Sequence, residues 1–97
     1  MIVVHVQHFL DEEGQRRFPA WLDEVSRALG GFEGFVSIRR IVPLEAPGEC
    51  HLLLEFERLA LLRRWASSAT HDELLARLAP YRQRKHHSTI FRVGEGG

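Results

Sequence analysis

The alternation of apolar and polar residues divides the chain into four strands and three helical segments. Runs rich in β-branched and other apolar side chains predict the four strands, at residues 2–9, 34–42, 49–57 and 86–93. Apolar residues at helical spacing predict three helical segments. The first ends at residues 30–31, the second covers residues 59–66, and the third runs from residue 70 to about residue 79.

Polar and special residues predict where the helices begin and end. Acidic residues 11–13 suit a helix N-terminus, but Pro19 follows within the same apolar pattern. Proline is harmless only in a first turn, so we expect a helix that starts near residue 15 or is kinked at Pro19. Gly30 should end that helix in the left-handed conformation. Thr70 and Glu73 form a capping box for the last helix.

The order of these elements, with the two later helical segments taken together, is β-α-β-β-α-β. This order predicts an α+β, ferredoxin-like protomer with a four-stranded antiparallel sheet. Right-handed crossovers place the first strand between the third and the fourth. They also place both helical segments on one face of the sheet. The strands are apolar on both faces, at residues 2–4, 35–36, 52–54 and 90–91. The second face therefore needs cover, and we expect a homodimer that packs sheet to sheet.

Length, net charge and cysteine content limit which class of protein this chain can be. The 97 residues predict a single domain at 1–93 and a flexible tail at 94–97. The formal net charge is zero, which indicates no nucleic-acid partner. The single cysteine, Cys50, excludes an intrachain disulfide. The chain shows neither a secretion signal nor a run of the ~20 apolar residues that crosses a bilayer, so we expect a cytoplasmic protein with no membrane partner.

The segment that joins the last two helices contains the leading candidates for chemistry. Trp65 closes one helix and could form the flat wall of a pocket, or it could simply be a core residue. His71 lies in the first turn of the next helix, where the helix dipole favours a neutral imidazole. A neutral imidazole can accept a proton near pH 7, so His71 is the predicted base, although a solvated surface histidine fits equally well.

A second set of candidates lies on the central strand and its neighbour. His5 and Gln7 share one face of the first strand, and a polar pair there needs partners or a ligand. We assign His5 to catalysis and Gln7 to substrate binding, with the alternative that both lie at a dimer interface. Arg39 on the second strand could hold a substrate anion or pair with Glu55.

The remaining histidines do not argue strongly for a metal. His8, His51, His86 and His87 should gather at one end of the sheet, but His86 and His87 must point to opposite faces. We therefore predict no metal site. The basic run at residues 82–87 is interpreted as a solvated loop, since it lacks the interleaved aromatic residues of a single-strand nucleic-acid platform.

Several segments together resemble the antibiotic biosynthesis monooxygenase family. They are residues 17–24, 31–35 and 54–57, followed by Trp65-x-x-Ser68-x-x-His71 with Leu74-Leu75, and then residues 78–80. The resemblance implies a dimeric α/β barrel whose protomers each have a pocket between helices and sheet. We also assign Phe56, within the third segment, to substrate binding.

The resemblance implies two kinds of activity. Some members of the family are cofactor-free oxygenases of quinols or polyketide aromatics, and others bind and degrade haem. The haem-degrading members use an Asn on the first strand, where this chain has His5 or Gln7, and a later His, whose position falls near Leu75. We therefore predict a cofactor-independent monooxygenase that acts on a small hydroxylated aromatic. The alternatives are a non-catalytic dimer that binds a small apolar ligand and, less favoured, a haem or metal binder.

Overall fold

Four strands form one antiparallel sheet in the computed structural model of the protein, which describes residues 1–94. The strands are β1 (Ile2–Leu10), β2 (Phe35–Ile41), β3 (Cys50–Phe56) and β4 (Arg82–Arg92). Their order in the sheet is β2-β3-β1-β4, and every neighbouring pair is antiparallel. The predicted ferredoxin-like order, with the first strand between the third and fourth, is confirmed. Residues 95–97 of the predicted tail lie outside the described residues.

Three helices cover one face of this sheet. They are α1 (Glu12–Leu29), α2 (Leu59–Ala66) and α3 (Ala69–Leu78), and a 3₁₀ turn at Ala79–Tyr81 leads into β4. Helix α1 begins earlier than predicted because the Asp11 side chain accepts a hydrogen bond from the Gly14 backbone N–H at 2.8 Å. The helix continues through Pro19, which lies in its interior rather than in its first turn.

The core lies between this helical layer and the inner face of the sheet. On β1 and β3 the even-numbered residues point inward, as the two-residue repeat of a strand requires. They meet the apolar stripe of α1, in which Phe18 and Leu29 are fully buried. The side chain of Trp21 ties α1 to α3, because its indole Nε1–H donates to the Leu74 carbonyl at 2.7 Å.

Two predicted helix caps are wrong, although the first helix ends where it was expected to end. Gly30 has a right-handed conformation, with φ of −56°, so it does not form the left-handed cap. Gly34 has the positive angle instead, with φ of +84°, and a Cβ there would collide with the Leu61 side chain. Helix α3 is capped by Ser68 rather than by Thr70, because Ser68 lies just before the first helical residue and bonds the His71 N–H.

The basic run at residues 82–87 is not the solvated loop that the sequence predicted. It belongs to β4, which begins four residues before the predicted start and lies at the edge of the sheet. An edge strand tolerates long charged side chains, since one side of it faces water. Arg84 stacks its guanidinium over the Phe9 ring at 3.9 Å from the ring centroid. This contact shows how a charged residue is accommodated within the strand.

The second face of the sheet, called here the open face, carries no helix of residues 1–94. Its residues come from alternate positions of the four strands: Val3, His5, Gln7 and Phe9 of β1, His51, Leu53 and Glu55 of β3, Ser37, Arg39 and Ile41 of β2, and His87, Thr89 and Phe91 of β4. Phe91 is 51% exposed. Among the described residues, no helix has the length and hydropathy to span a membrane.

Candidate functional site

A small cavity lies between the helices and the inner face of the sheet, with a volume of about 70 Å³. Two indoles and three imidazoles line it, together with aliphatic side chains. The aromatic and titratable members are Trp21, Trp65, His8, His71 and His86. The structure therefore brings Trp65 and His71 to the same cavity.

Ser68 holds Trp65 and His71 in fixed relation. Its hydroxyl donates to the Trp65 carbonyl at 2.7 Å and accepts from the His71 backbone N–H at 3.2 Å. One side chain thus satisfies a carbonyl at the end of α2 and an N–H at the start of α3. The Trp65 and His71 rings meet edge to face, with centroids 5.4 Å apart and planes at 80°. Trp65 is 3% exposed, so it serves the core and the cavity wall at once.

The environment of His71 favours its neutral form. Burial lowers the pKa of His71, and the nearby Asp72 carboxylate opposes this effect. Asp72 Oδ1 lies 3.7 Å from His71 Nδ1, which is beyond hydrogen-bonding distance. Nδ1 is buried and has no hydrogen-bond partner. A polar ligand atom that bonded this nitrogen would relieve the cost of burying it.

His86 gives the cavity a second imidazole of the same kind. Burial is the main cause that lowers the pKa of His86, followed by repulsion from His71, Lys85 and Arg82. Its Nδ1 is also buried without a partner. Two rings with unsatisfied nitrogens therefore border one cavity.

His8 forms the inner end of this histidine cluster. It is 5% exposed and packs against the rings of Trp21 and His86, with centroids 5.1 Å and 5.2 Å away. Burial, followed by repulsion from His86, His71 and Arg82, lowers the pKa of His8 to about 3. His8 is therefore uncharged at neutral pH, and the cavity contains no fixed cation at this position.

The other predicted site residues lie elsewhere. His5, Gln7 and Arg39 belong to the open face, on the opposite side of the sheet from His71 and Trp65. Arg39 pairs with Glu55 at 3.2 Å. Phe56 is fully buried and packs against Phe32 and Phe35, so it contributes to the core and does not line the cavity. Within one chain the predicted residues thus form two groups rather than one site.

The histidines divide between the two faces as well. His8 and His86 point to the cavity, whereas His51 and His87 point to the open face. Within residues 1–94, no three His, Cys, Asp or Glu side chains are placed to hold a metal ion.

Sequence reasoning did not assign His86 and Trp21 to the cavity. The signal for His86 was available in the alternation of residues 86, 88 and 90 against β1, where Ser88 pairs with Val6 and Ile90 with Val4. Register shifts between Gln7 and Leu10 hide this alternation at the start of β4. Trp21 lies on the apolar stripe of α1, and only the packing of α1 on α3 shows that its ring borders a cavity.

Sequence comparison matches this chain to no family model and to no curated protein. The structural comparison is different, since many solved structures share the fold over nearly the whole chain.

Many of these structural neighbours are antibiotic biosynthesis monooxygenases. A putative antibiotic biosynthesis monooxygenase from Deinococcus radiodurans superposes with a TM-score of 0.87 at 14% identity, over 99% of this chain and 95% of that one. An antibiotic biosynthesis monooxygenase superposes with a TM-score of 0.81 at 14% identity, over 98% and 100%. SnoaB from Streptomyces nogalater, a cofactor-independent oxygenase, gives 0.79 at 12% identity, over 98% and 95%. The resemblance to this family is thereby confirmed at the level of the fold.

Proposed function

We propose that this protein is a cofactor-independent monooxygenase that oxidises a small hydroxylated aromatic in the cavity of Trp65 and His71. The observation that carries the proposal is the pair of buried, unpartnered imidazole nitrogens, on His71 and His86, beside a tryptophan wall. The fold is shared with SnoaB, a cofactor-independent oxygenase, which supports the same class of reaction.

The chemistry needs a base, a donor for the resulting anion and an apolar surrounding. A phenol or anthrone-like substrate would lie against Trp65, where its flat ring gains apolar contact. His71 would accept the substrate proton, since its neutral imidazole is a competent base near pH 7. The imidazole of His86 would donate to the substrate oxygen and stabilise the anion. Gln7 and Arg39 have no part here, because they lie across the sheet.

Dioxygen is the oxidant, and the substrate supplies the electrons. The deprotonated carbon of an anthrone-like ring forms a bond to one oxygen atom of O₂ and gives a hydroperoxide after protonation. Loss of water then leaves a carbonyl at that carbon. One oxygen atom enters the product and the other leaves as water, so no external reductant is required.

The cavity must enlarge to admit such a substrate. Its volume of about 70 Å³ is far below the roughly 300–1,000 Å³ of most ligand pockets. His71 of α3 and Ser88 of β4 both line the cavity, and β4 is an edge strand that has a neighbour on one side only. We expect substrate to enter by separation of α3 from β4, which breaks no pairing between strands.

Oxygen uptake tests this proposal. The protein is incubated with a panel of quinols and anthrones, and dioxygen consumption is compared with autoxidation in buffer. His71→Gln should lower the protein-dependent rate by roughly 10²-fold, which is the usual contribution of a general base. His87→Gln, which changes an exposed histidine in the same way, should leave it unchanged.

Two results would count against catalysis. The proposal fails if no member of the panel is consumed faster than by autoxidation. Thermal stabilisation by a quinol without turnover would instead support the alternative, a small-ligand-binding protein.

We further propose that a second copy of the chain covers the open face and forms a homodimer with paired sheets. The support is the apolar character of that face, where Val3, Leu53 and Phe91 lie without a helix above them. A monomer would leave this apolar surface in water, and its burial against a second sheet would be favourable.

A further inference from the structure

Three side chains on the inner face of β4 lead out of the cavity. Ser88 pairs with Val6 and Ile90 with Val4, so His86, Ser88 and Ile90 occupy successive positions on this face of the strand. His86 and Ser88 line the cavity, and Ile90 lies one step beyond them. Each step of two residues covers ~7 Å along a strand. This row therefore passes from an imidazole to a hydroxyl and then to an apolar side chain.

The cavity opens to water at Ser88. Ser88 is an exposed residue that still lines the cavity, whereas His86 is half-buried. Ile90, just outside this mouth, is 53% exposed. Single exposed apolar residues are common on protein surfaces, but Ile90 continues the row of residues that forms one wall of the cavity. Because Ile90 faces the helical side of the sheet, a second copy on the open face would leave it uncovered.

The row on β4 gives a direction to the substrate of the proposed function. The substrate hydroxyl would lie between His71 and His86, inside the cavity. An aromatic ring with its hydroxyl is comparable in length to one step of the row, so the ring carbon opposite the hydroxyl would lie near Ser88. A substituent on that carbon would leave through the mouth and lie along Ile90. A substituent next to the hydroxyl would instead remain within the small cavity.

Arg92 limits the length of such a substituent. It is the next inward-facing residue after Ile90, it pairs with Ile2, and it is exposed and charged. The apolar part of the row beyond the mouth is therefore one step of ~7 Å, the length of a chain of about five carbons. A longer chain would extend into water beside a guanidinium, where it removes no further apolar surface from water.

We propose that Ile90 selects substrates that carry a short alkyl chain opposite the reacting hydroxyl. This inference rests on the proposed function, because the position of the hydroxyl is taken from it. The substrate class is thereby narrowed to hydroxylated aromatic rings with a para-alkyl chain. Full burial of one methylene strengthens binding about fourfold, so a methylene that Ile90 covers on one side should strengthen it about twofold.

Isothermal titration calorimetry with para-alkylphenols under nitrogen measures this preference by binding alone. Between para-methylphenol and para-butylphenol the Kd should fall about eightfold, since three methylenes are added. The para-heptyl compound should bind no more tightly than the para-pentyl compound, because its last carbons pass Arg92. The ortho-alkylphenols have the same composition, and their Kd should change by less than about twofold along the series.

Ile90→Thr removes the apolar contact and keeps a β-branched residue that suits a strand. It should bind para-methylphenol as the original protein does, which also shows that the cavity is intact, and it should lose the gain along the para series. Val36→Thr is the matched control, since Val36 is 42% exposed on β2, at the other edge of the sheet. This control should keep the full gain.

Any of three results overturns the role of Ile90. They are a gain that Ile90→Thr retains, an equal gain in the ortho series, and the absence of a gain or of any binding in the para series. Oxygen uptake separates this inference from the proposed function. Turnover of hydroxylated aromatics without the chain-length gain refutes only the role of Ile90. The gain without turnover keeps that role and refutes catalysis.

Discussion

His8 should make the protein lose stability in mild acid. Its side chain is 5% exposed, and burial followed by repulsion from His86, His71 and Arg82 lowers the pKa of His8 to about 3. In the unfolded chain the pKa of histidine is about 6.5. The folded state therefore resists protonation of His8 over a wide range of pH.

The sign and size of the effect follow from proton linkage. Between these two pKa values the unfolded state binds more protons than the folded state, so the free energy of unfolding falls as the pH falls. The contribution of His8 is fully present above pH ~6.5 and decreases until the pH reaches ~3. From pH 7.5 to pH 5 the loss is about 2 kcal/mol, and below both pKa values it approaches about 5 kcal/mol. Such a loss is a large share of the stability of a small domain.

Urea unfolding at pH 7.5, 6 and 5 measures this loss. His8→Gln removes the titrating group, so its free energy of unfolding should depend less on pH than that of the original protein, by about 2 kcal/mol over this range. His87→Gln makes the same change at an exposed position and should keep the original dependence. The reasoning is refuted if the original protein and His8→Gln lose equal stability between pH 7.5 and pH 5.

Two further predictions concern the junction of α2 with α3 and the open face. Ser68→Ala removes the cap of α3 and the bond to the Trp65 carbonyl, so thermal unfolding should show that the free energy of unfolding falls by about 1 kcal/mol. Thr70→Ala, at an exposed position inside the helix, should lower it less. Equal losses would contradict the assignment of the cap. Leu53→Asp places a charge within the apolar part of the open face and should convert the proposed dimer to a monomer, as measured by analytical ultracentrifugation. Glu57→Asp, just beyond β3, should leave the dimer intact. An unchanged sedimentation coefficient for Leu53→Asp would argue against sheet-to-sheet pairing.

The fold was largely predictable because each of its elements has a local signal. Residues 59–66 show one apolar stripe and form a helix with those bounds. The central strands were found from β-branched and leucine runs, and the right-handed crossover rule then placed β1 between β3 and β4. Helix ends were less predictable, since Ser68 and Thr70 are both plausible caps and only the structure shows that Ser68 accepts from the His71 N–H.

The candidate site was less predictable, because it depends on the face to which each strand residue points. Trp65 and His71 are close in sequence, and Ser68 brings them together locally. His86 joins them only through the register of β4 against β1, which contains irregular pairings. His5 was assigned to the same chemistry as His71, but the inward direction of the even-numbered residues of β1 places it on the other face.

The sequence by itself determined the order of elements, the two-sided apolar strands and the Trp65-to-His71 junction, since all three arise from residues near one another in the chain. Only the tertiary structure decided that His8, His71 and His86 share a cavity and that His51 bonds both His5 and Glu49 on the opposite face. The physical reason is strand register. A shift of one residue exchanges the two faces of a strand, and that register is fixed by pairing between strands rather than by local sequence.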